Sequence, residues 1–226
     1  MITPADVLLE CEAVLFDLDG VLIDSTAAIE ALWGRWADGH GLDRAALLAT
    51  VHGRRARDVI PEAMPDLDPV AELARFEELE TGLLDGLRQL PGAAALLAAL
   101  PRGRWAVVTS GGRRTATARL EATGLPLPDV LVHADEVDRG KPDPAGYLLG
   151  ASRLGVPPGR CLVVEDAPAG VAAGRAAGAR VLALGTTHPR AELAGADAGA
   201  ADLSEVTVAD PGPPLRLRVG PPASAA

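Results

Sequence analysis

Lysine and cysteine are nearly absent from this chain. Lys141 is the only lysine, and the stretch Thr26–Leu90 has none, which excludes an imine-forming lysine there. The two cysteines, Cys11 and Cys161, sit in apolar, strand-like runs. Buried free thiols suit that setting better than a disulfide, so the cytoplasm is the expected compartment. Basic charge is also short: 21 Lys and Arg stand against 31 Asp and Glu, a net charge of −10. That balance argues against nucleic acid or an anionic membrane as a partner, since both require a basic face. It leaves room for a small anionic substrate, because charge around a bound cation decides that contact locally. No apolar run approaches the length of a bilayer span. Met1–Glu12 lacks the basic start and apolar middle of a secretory signal.

Apolar residues are plentiful. At 48% of 226 residues they suffice for one large domain, or a core domain with a smaller companion. Five short apolar runs end in polar or small residues: Ala13–Phe16, Trp105–Val108, Val130–His133, Cys161–Val164 and Arg180–Leu184. Between them lie segments of helical character, Ala93–Leu100, Arg113–Thr123, Ala145–Leu154 and Ala169–Ala177. Strand and helix alternate, which predicts an α/β fold with a parallel sheet and helices on both faces.

The first two strands are too far apart for a single crossover helix. Thr26–Leu90 therefore reads as an insertion, with helices expected over Ala27–Trp36, Arg44–His52, Arg57–Met64 and Val70–Leu87. Leu32, Trp33 and Trp36 make an apolar stripe suited to the insertion's own core. The expected division is a core of residues 1–24 and 91–210, a helical cap of residues 25–90 hung on two hinges, and a tail. Pro211–Ala226 reads as mostly disordered, with Leu215–Val219 docking as an edge segment.

Chemistry enters at the strand ends. Val14–Phe16 runs into Asp17-Leu18-Asp19-Gly20, two acids whose spacing puts both carboxylates on one side of a strand. A core gains nothing from two like charges, whereas a phosphoryl-transfer site uses them. Asp17 can attack phosphorus, and Asp19 can protonate the leaving oxygen and later deprotonate water. The second strand ends in Thr109-Ser110-Gly111-Gly112, where a hydroxyl and backbone N–H groups suit phosphate oxygens, or simply cap a helix. Lys141, in Gly140-Lys141-Pro142-Asp143-Pro144, can neutralise nucleophile and phosphate. A further strand ends in Glu165-Asp166. With Asp17 and the carbonyl of Asp19, these acids make an oxygen-rich site suited to Mg²⁺. Strand ends of a parallel sheet share one edge, so these remote motifs are expected to converge.

Taken in order, Asp17-Leu18-Asp19-Gly20-Val21, Thr109-Ser110, Lys141-Pro142 and Glu165-Asp166 resemble the four motifs of the haloacid dehalogenase superfamily, phosphatase branch. The resemblance covers about Glu12–Leu203. It implies a Rossmann-like core, a helical cap inserted after the first strand, Mg²⁺ and an aspartyl-phosphate intermediate. By position it implies Asp17 as nucleophile and Asp19 as acid/base and carbonyl metal ligand. It further implies Thr109, Ser110 and Gly111 at the phosphate, Lys141 pairing nucleophile and phosphate, and Asp166 as metal ligand supported by Glu165.

Within the superfamily, Asp19 and Glu165-Asp166 speak against dehalogenation, and the lysine-free insertion against phosphonate hydrolysis. Phosphoglucomutases resemble the whole core but carry a histidine shortly after the first hinge, where this chain has Asp24-Ser25-Thr26-Ala27-Ala28-Ile29. The segment His52-Gly53-Arg54-Arg55 resembles the cap of sugar- and polyol-phosphate phosphatases. Its residues His52, Arg54 and Arg55 either contact substrate or form a solvated helix start. His188, in a run like that of sugar and glycerol phosphatases, reads as structural or exposed rather than catalytic, and His40 and His133 have no assigned role. The expectation is a Mg²⁺-dependent phosphomonoesterase for a small phosphorylated metabolite, acting as a monomer, with a homodimer as the other arrangement. A phosphomutase and a non-catalytic binding protein are the alternatives.

Overall fold

The computed structural model describes residues 7–220. In chain order its strands are β1 (Val7–Cys11), β2 (Ala13–Phe16), β3 (Ile23–Asp24), β4 (Arg88–Gln89), β5 (Trp105–Val108), β6 (Leu131–Val132), β7 (Cys161–Glu165), β8 (Arg180–Leu184), β9 (Ala198–Ala200), β10 (Val206–Asp210) and β11 (Leu215–Val219). Its α-helices are α1 (Thr26–His40), α2 (Arg44–Val51), α3 (Ala56–Ala63), α4 (Pro69–Thr81), α5 (Ala93–Ala99), α6 (Arg113–Ala122), α7 (Ala145–Leu154) and α8 (Pro168–Ala176).

Six parallel strands form the central sheet in the order β6-β5-β2-β7-β8-β9. Side chains alternate across it, as the pleat requires. Val14, Phe16, Val107, Leu162 and Val164 face one layer with Leu96 and Leu97 of α5 and Leu120 of α6. Ala13, Leu15, Ala106, Val108 and Val163 face the other, with Tyr147 and Ala151 of α7 and Val171 of α8. Every residue of β2 is buried on both sides, hence its unbroken apolar run. Each fully buried Leu or Phe contributes roughly 1.5–3 kcal/mol.

The position of β2 matters for the site. It pairs with β5 on one flank and β7 on the other. Connectivity runs outward from it in both directions, so the turns after β2, β5 and β7 open into one crevice at the switch in strand order.

The chain leaves the core through β3 and returns through β4, which pair antiparallel as Ile23–Gln89 and Asp24–Arg88. Helices α1–α4 lie between them and enclose their own core of Leu32, Trp33, Trp36, Leu47, Val59, Ile60 and Phe76. The helix expected over Val70–Leu87 stops at Thr81. Gly82 follows it, and Gly86 adopts a φ of 80°, a turn that no helix accommodates.

The tail departs from expectation. Leu215–Val219 is the middle strand of a second, antiparallel sheet in the order β1-β11-β10, with Leu215, Leu217 and Val219 buried. Every second residue is apolar, so one face packs on the core while Arg216 and Arg218 face outward. Residues 221–226 of the expected tail lie outside the described residues.

Candidate active site

Asp17 follows the last residue of β2 and is 5% exposed. Its backbone N–H donates to the Val164 carbonyl at 3.0 Å, fixing it beside β7. The turn that follows needs Gly20: its φ is 81°, and a Cβ there would lie 2.0 Å from Asp166 Oδ2 and 2.8 Å from Thr187 Cγ2.

Lys141 joins three strand ends. Its Nζ donates to Asp17 Oδ1 at 2.5 Å and to the Val108 carbonyl at 3.3 Å, and lies 2.6 Å from Glu165 Oε1. The Lys141–Pro142 peptide bond is cis. Glu165 is fully engaged: Oε1 also accepts from the Tyr147 hydroxyl at 2.6 Å, and Oε2 from the N–H groups of Asp166 and Ala167. Tyr147, the only tyrosine of the chain, also holds its ring centroid 5.2 Å from Lys141 Nζ. Among the described residues, Asp17, Glu165 and Asp166 form a buried cluster whose nearest carboxylate oxygens lie within 4.8 Å of one another. This arrangement could bind a metal ion.

Three acids thus face one cation. Burial pushes Asp17 up to about 7, with Lys141 pulling down and Glu165 and Asp19 pushing up again. Burial, then Glu165 and Asp17, raise Asp166 well above the usual carboxylate range. Burial would lower Lys141, but Asp17 and Glu165 outweigh it and raise it, so it stays protonated. The excess of negative charge is what a divalent cation would offset.

The side chain of Asp19 lies apart from this cluster. Its Oδ1 accepts from Ser25 Oγ and from Arg119 Nη1, both at 2.7 Å. Thr109 is buried at the end of β5, and its Oγ1 accepts from the Gly111 N–H at 3.0 Å. The Ser110 hydroxyl donates to the Gly53 carbonyl at 2.8 Å, a bond between the core and the cap segment.

A cleft of about 920 Å³, open to solvent, brings these groups together. Asp17, Asp19, Thr109, Ser110, Gly111 and Asp166 line it from the core, and His52, Arg54 and Arg55 from the cap segment. The two arginines differ. Arg54 binds both oxygens of Glu62 through Nη2 at 2.7 Å. Arg55 reads from the sequence as contacting substrate or as part of a solvated helix start, and the protein instead takes all five of its donors. Asp58 accepts two, and the carbonyls of Ala134, Val137 and Asp138 accept the rest. Its side chain is 3% exposed and clamps α3 to the core loop. His52 is edge-on to His188, with ring centroids 5.9 Å apart.

Sequence reasoning missed Tyr147, Thr187, Arg119 and Glu80. The Thr187 hydroxyl donates to Asp166 Oδ2. Arg119 lies 3.3 Å from Glu80 Oε1, and Thr115 donates to Glu80 Oε2 at 3.1 Å. None lies at a strand end. For Arg119 the available signal was a charged residue on a helix face that otherwise packs inward, beside Ala116 and Leu120, and for Thr187 it was its place in the loop after β8, in the run with His188.

Residues 11–178 match the haloacid dehalogenase-like hydrolase family. The chain is 44% identical to hexitol phosphatase A of Escherichia coli (strain K12) over 205 residues, covering 88% of this chain and 95% of that protein. It is 36% identical over 198 residues to glycerol-1-phosphate phosphohydrolase 2 of Saccharomyces cerevisiae, covering 82% and 79%. The crystal structure of a hydrolase from Pseudomonas syringae superposes with a TM-score of 0.76 at 29% identity, over 85% of this chain and 94% of that one. The chain belongs to the haloacid dehalogenase-like hydrolases.

Proposed function

We propose that this protein is a Mg²⁺-dependent phosphomonoesterase that hydrolyses a small sugar or polyol phosphate through an aspartyl-phosphate on Asp17. The observation that carries this reading is Asp17 itself, which follows β2 in the cleft, touches Lys141 and lies against Asp166.

The donor set fits a hard cation: the nearby groups are carboxylate oxygens, buried, with negative charge in excess. Asp17, Asp166 and the Asp19 carbonyl would hold it, with Glu165 supporting them. When bound, Mg²⁺ neutralises the acids and the phosphate oxygens.

An Asp17 oxygen attacks phosphorus, and the bond from phosphorus to the ester oxygen breaks. Lys141 reduces the repulsion between the Asp17 carboxylate and the phosphate. Thr109 and the amides of Ser110 and Gly111 orient the phosphate oxygens. Asp19 gives its proton to the departing alcohol, then takes one from water as that water displaces Asp17 from phosphorus. Glu165 and Tyr147 hold Lys141 in place. The cap excludes bulk water and presents the far wall of the cleft.

The substrate class rests on the relatives, which are named for hexitol and glycerol 1-phosphate, and on the wall itself. Trp33 and Ile29 there sit beside Glu77, Arg54, Arg57 and Asp135, a lining that suits a small molecule rich in hydroxyls. Every group in the reaction comes from one chain, so a monomer suffices. Among the described residues no helix is long and apolar enough to cross a membrane. Both cysteines are free and buried, which suits the cytoplasm.

The test is phosphate release from hexitol 6-phosphate, glycerol 1-phosphate and p-nitrophenyl phosphate. Release from the first two supports the reading. Isomerisation of a hexose 1-phosphate without net phosphate release would make the chain a mutase. No turnover of any of them would leave a binding protein.

A further inference from the structure

We propose that Arg119 is a positioning residue for Asp19 and that it is tied to the cap through Glu80. This rests on the acid/base role of Asp19 in the reading above.

Asp19 Oδ1 receives two bonds at 2.7 Å, from Arg119 Nη1 and from Ser25 Oγ. Among the described residues, Oδ2 receives none. A carboxylate rotates easily about its last torsion, and two donors on one oxygen stop that rotation. Oδ1 becomes the anchored oxygen, and Oδ2 is left to carry a proton to the ester oxygen and take one back from water.

The anchor is itself anchored. Arg119 lies on α6 of the core with its side chain 2% exposed. Its Nη2 lies 3.3 Å from Glu80 Oε1, and Thr115, one turn earlier on α6, donates to the other Glu80 oxygen. A guanidinium is a rigid planar fork, so fixing Nη2 fixes the direction of Nη1. Arg119 Nε is buried without a hydrogen-bond partner, so the polar anchors of the guanidinium are these two Nη contacts. Glu80 belongs to α4 of the cap, and Ser25 immediately precedes α1. One support of the Asp19 orientation, Ser25, therefore comes from the start of the cap, and the other, Arg119, is a core residue braced by Glu80 of the cap. Asp19 is aligned when the cap is seated, and Arg119 carries that information into the core.

The test compares kcat/KM for two leaving groups in the full-length protein with Mg²⁺. p-Nitrophenolate departs without a proton, whereas the alkoxide of glycerol 1-phosphate needs one. Asp19→Asn is the reference and should cost about 10²-fold more on glycerol 1-phosphate than on p-nitrophenyl phosphate. Arg119→Met should show the same selective loss, and Arg119→Lys should recover part of it. The double variant Arg119→Met/Glu80→Gln removes both buried charges, which protects the fold, and should keep the selectivity. Equal losses on both substrates from Arg119→Met and the double variant, with Asp19→Asn still selective, would reduce Arg119 to a structural ion pair. An unselective Asp19→Asn would instead overturn the acid/base role, and this proposal with it.

Discussion

Lys141 Nζ ends 2.5 Å from Asp17 Oδ1 although 124 residues separate the two in the chain. Both side chains are buried, and the same nitrogen lies 2.6 Å from Glu165. The lysine therefore compensates two buried carboxylates, one of them the proposed nucleophile. Replacing Asp17 removes one buried acid, whereas replacing Lys141 leaves two without their cation, so the two residues should fail differently.

Asp17→Asn keeps the volume and removes a buried charge, so turnover should fall by about 10⁴-fold or more while the fold survives. Lys141→Met leaves Asp17 and Glu165 buried without their cation and should cost activity and also about 3–5 kcal/mol of stability. Phosphate release and urea unfolding, measured on both variants, separate the effects. Substantial residual hydrolysis by Asp17→Asn would remove it as nucleophile.

Chelation should silence the enzyme reversibly. EDTA should abolish phosphate release, Mg²⁺ should restore it, and Asp166→Asn should raise the Mg²⁺ concentration needed for half-maximal rate. Mg²⁺ should also raise the melting temperature, because it binds the folded acids and not the unfolded chain. Turnover that ignores EDTA would refute the carboxylate cluster as a metal site.

Arg55→Met should act through the cap seam. It strips donors from the carbonyls of Ala134, Val137 and Asp138 and from Asp58, a loss of about 1–3 kcal/mol. The reacting atoms are untouched, so KM should rise more than kcat falls. A raised KM at unchanged stability in urea would return Arg55 to the substrate side.

His52 gives a pH signature. Burial first, then the neighbouring His188, lower its pKa from 6.5. Below that value the unfolded chain takes up a proton that the folded chain resists, so His52 favours the fold above pH 6.5 and ceases to as the pH falls toward its folded value. Melting curves at about pH 7.5 and about pH 5.5 should show a smaller drop for His52→Gln than for the parent. An identical drop would mean that His52 titrates alike in both states.

The parallel sheet and the polar groups gathered at its strand ends could be read in the sequence because each is a local signal. Ala13–Phe16, Trp105–Val108 and Cys161–Val164 are short apolar runs, and an acid, hydroxyl or cation at the end of such a run has no place in a core. β11 reads in the sequence only as an edge segment because its alternation, Leu215 to Val219, lies among prolines and glycines, and its place between β1 and β10 is set by tertiary pairing. The destinations of the arginines escaped it too. Arg54 and Arg55 are neighbours of the same type, yet one binds Glu62 at the cleft and the other is spent on three carbonyls of the core. Chemical identity and strand periodicity are written residue by residue. Which partner a long, charged side chain meets depends on the packing of segments far apart in the chain, and only the folded structure sets that distance.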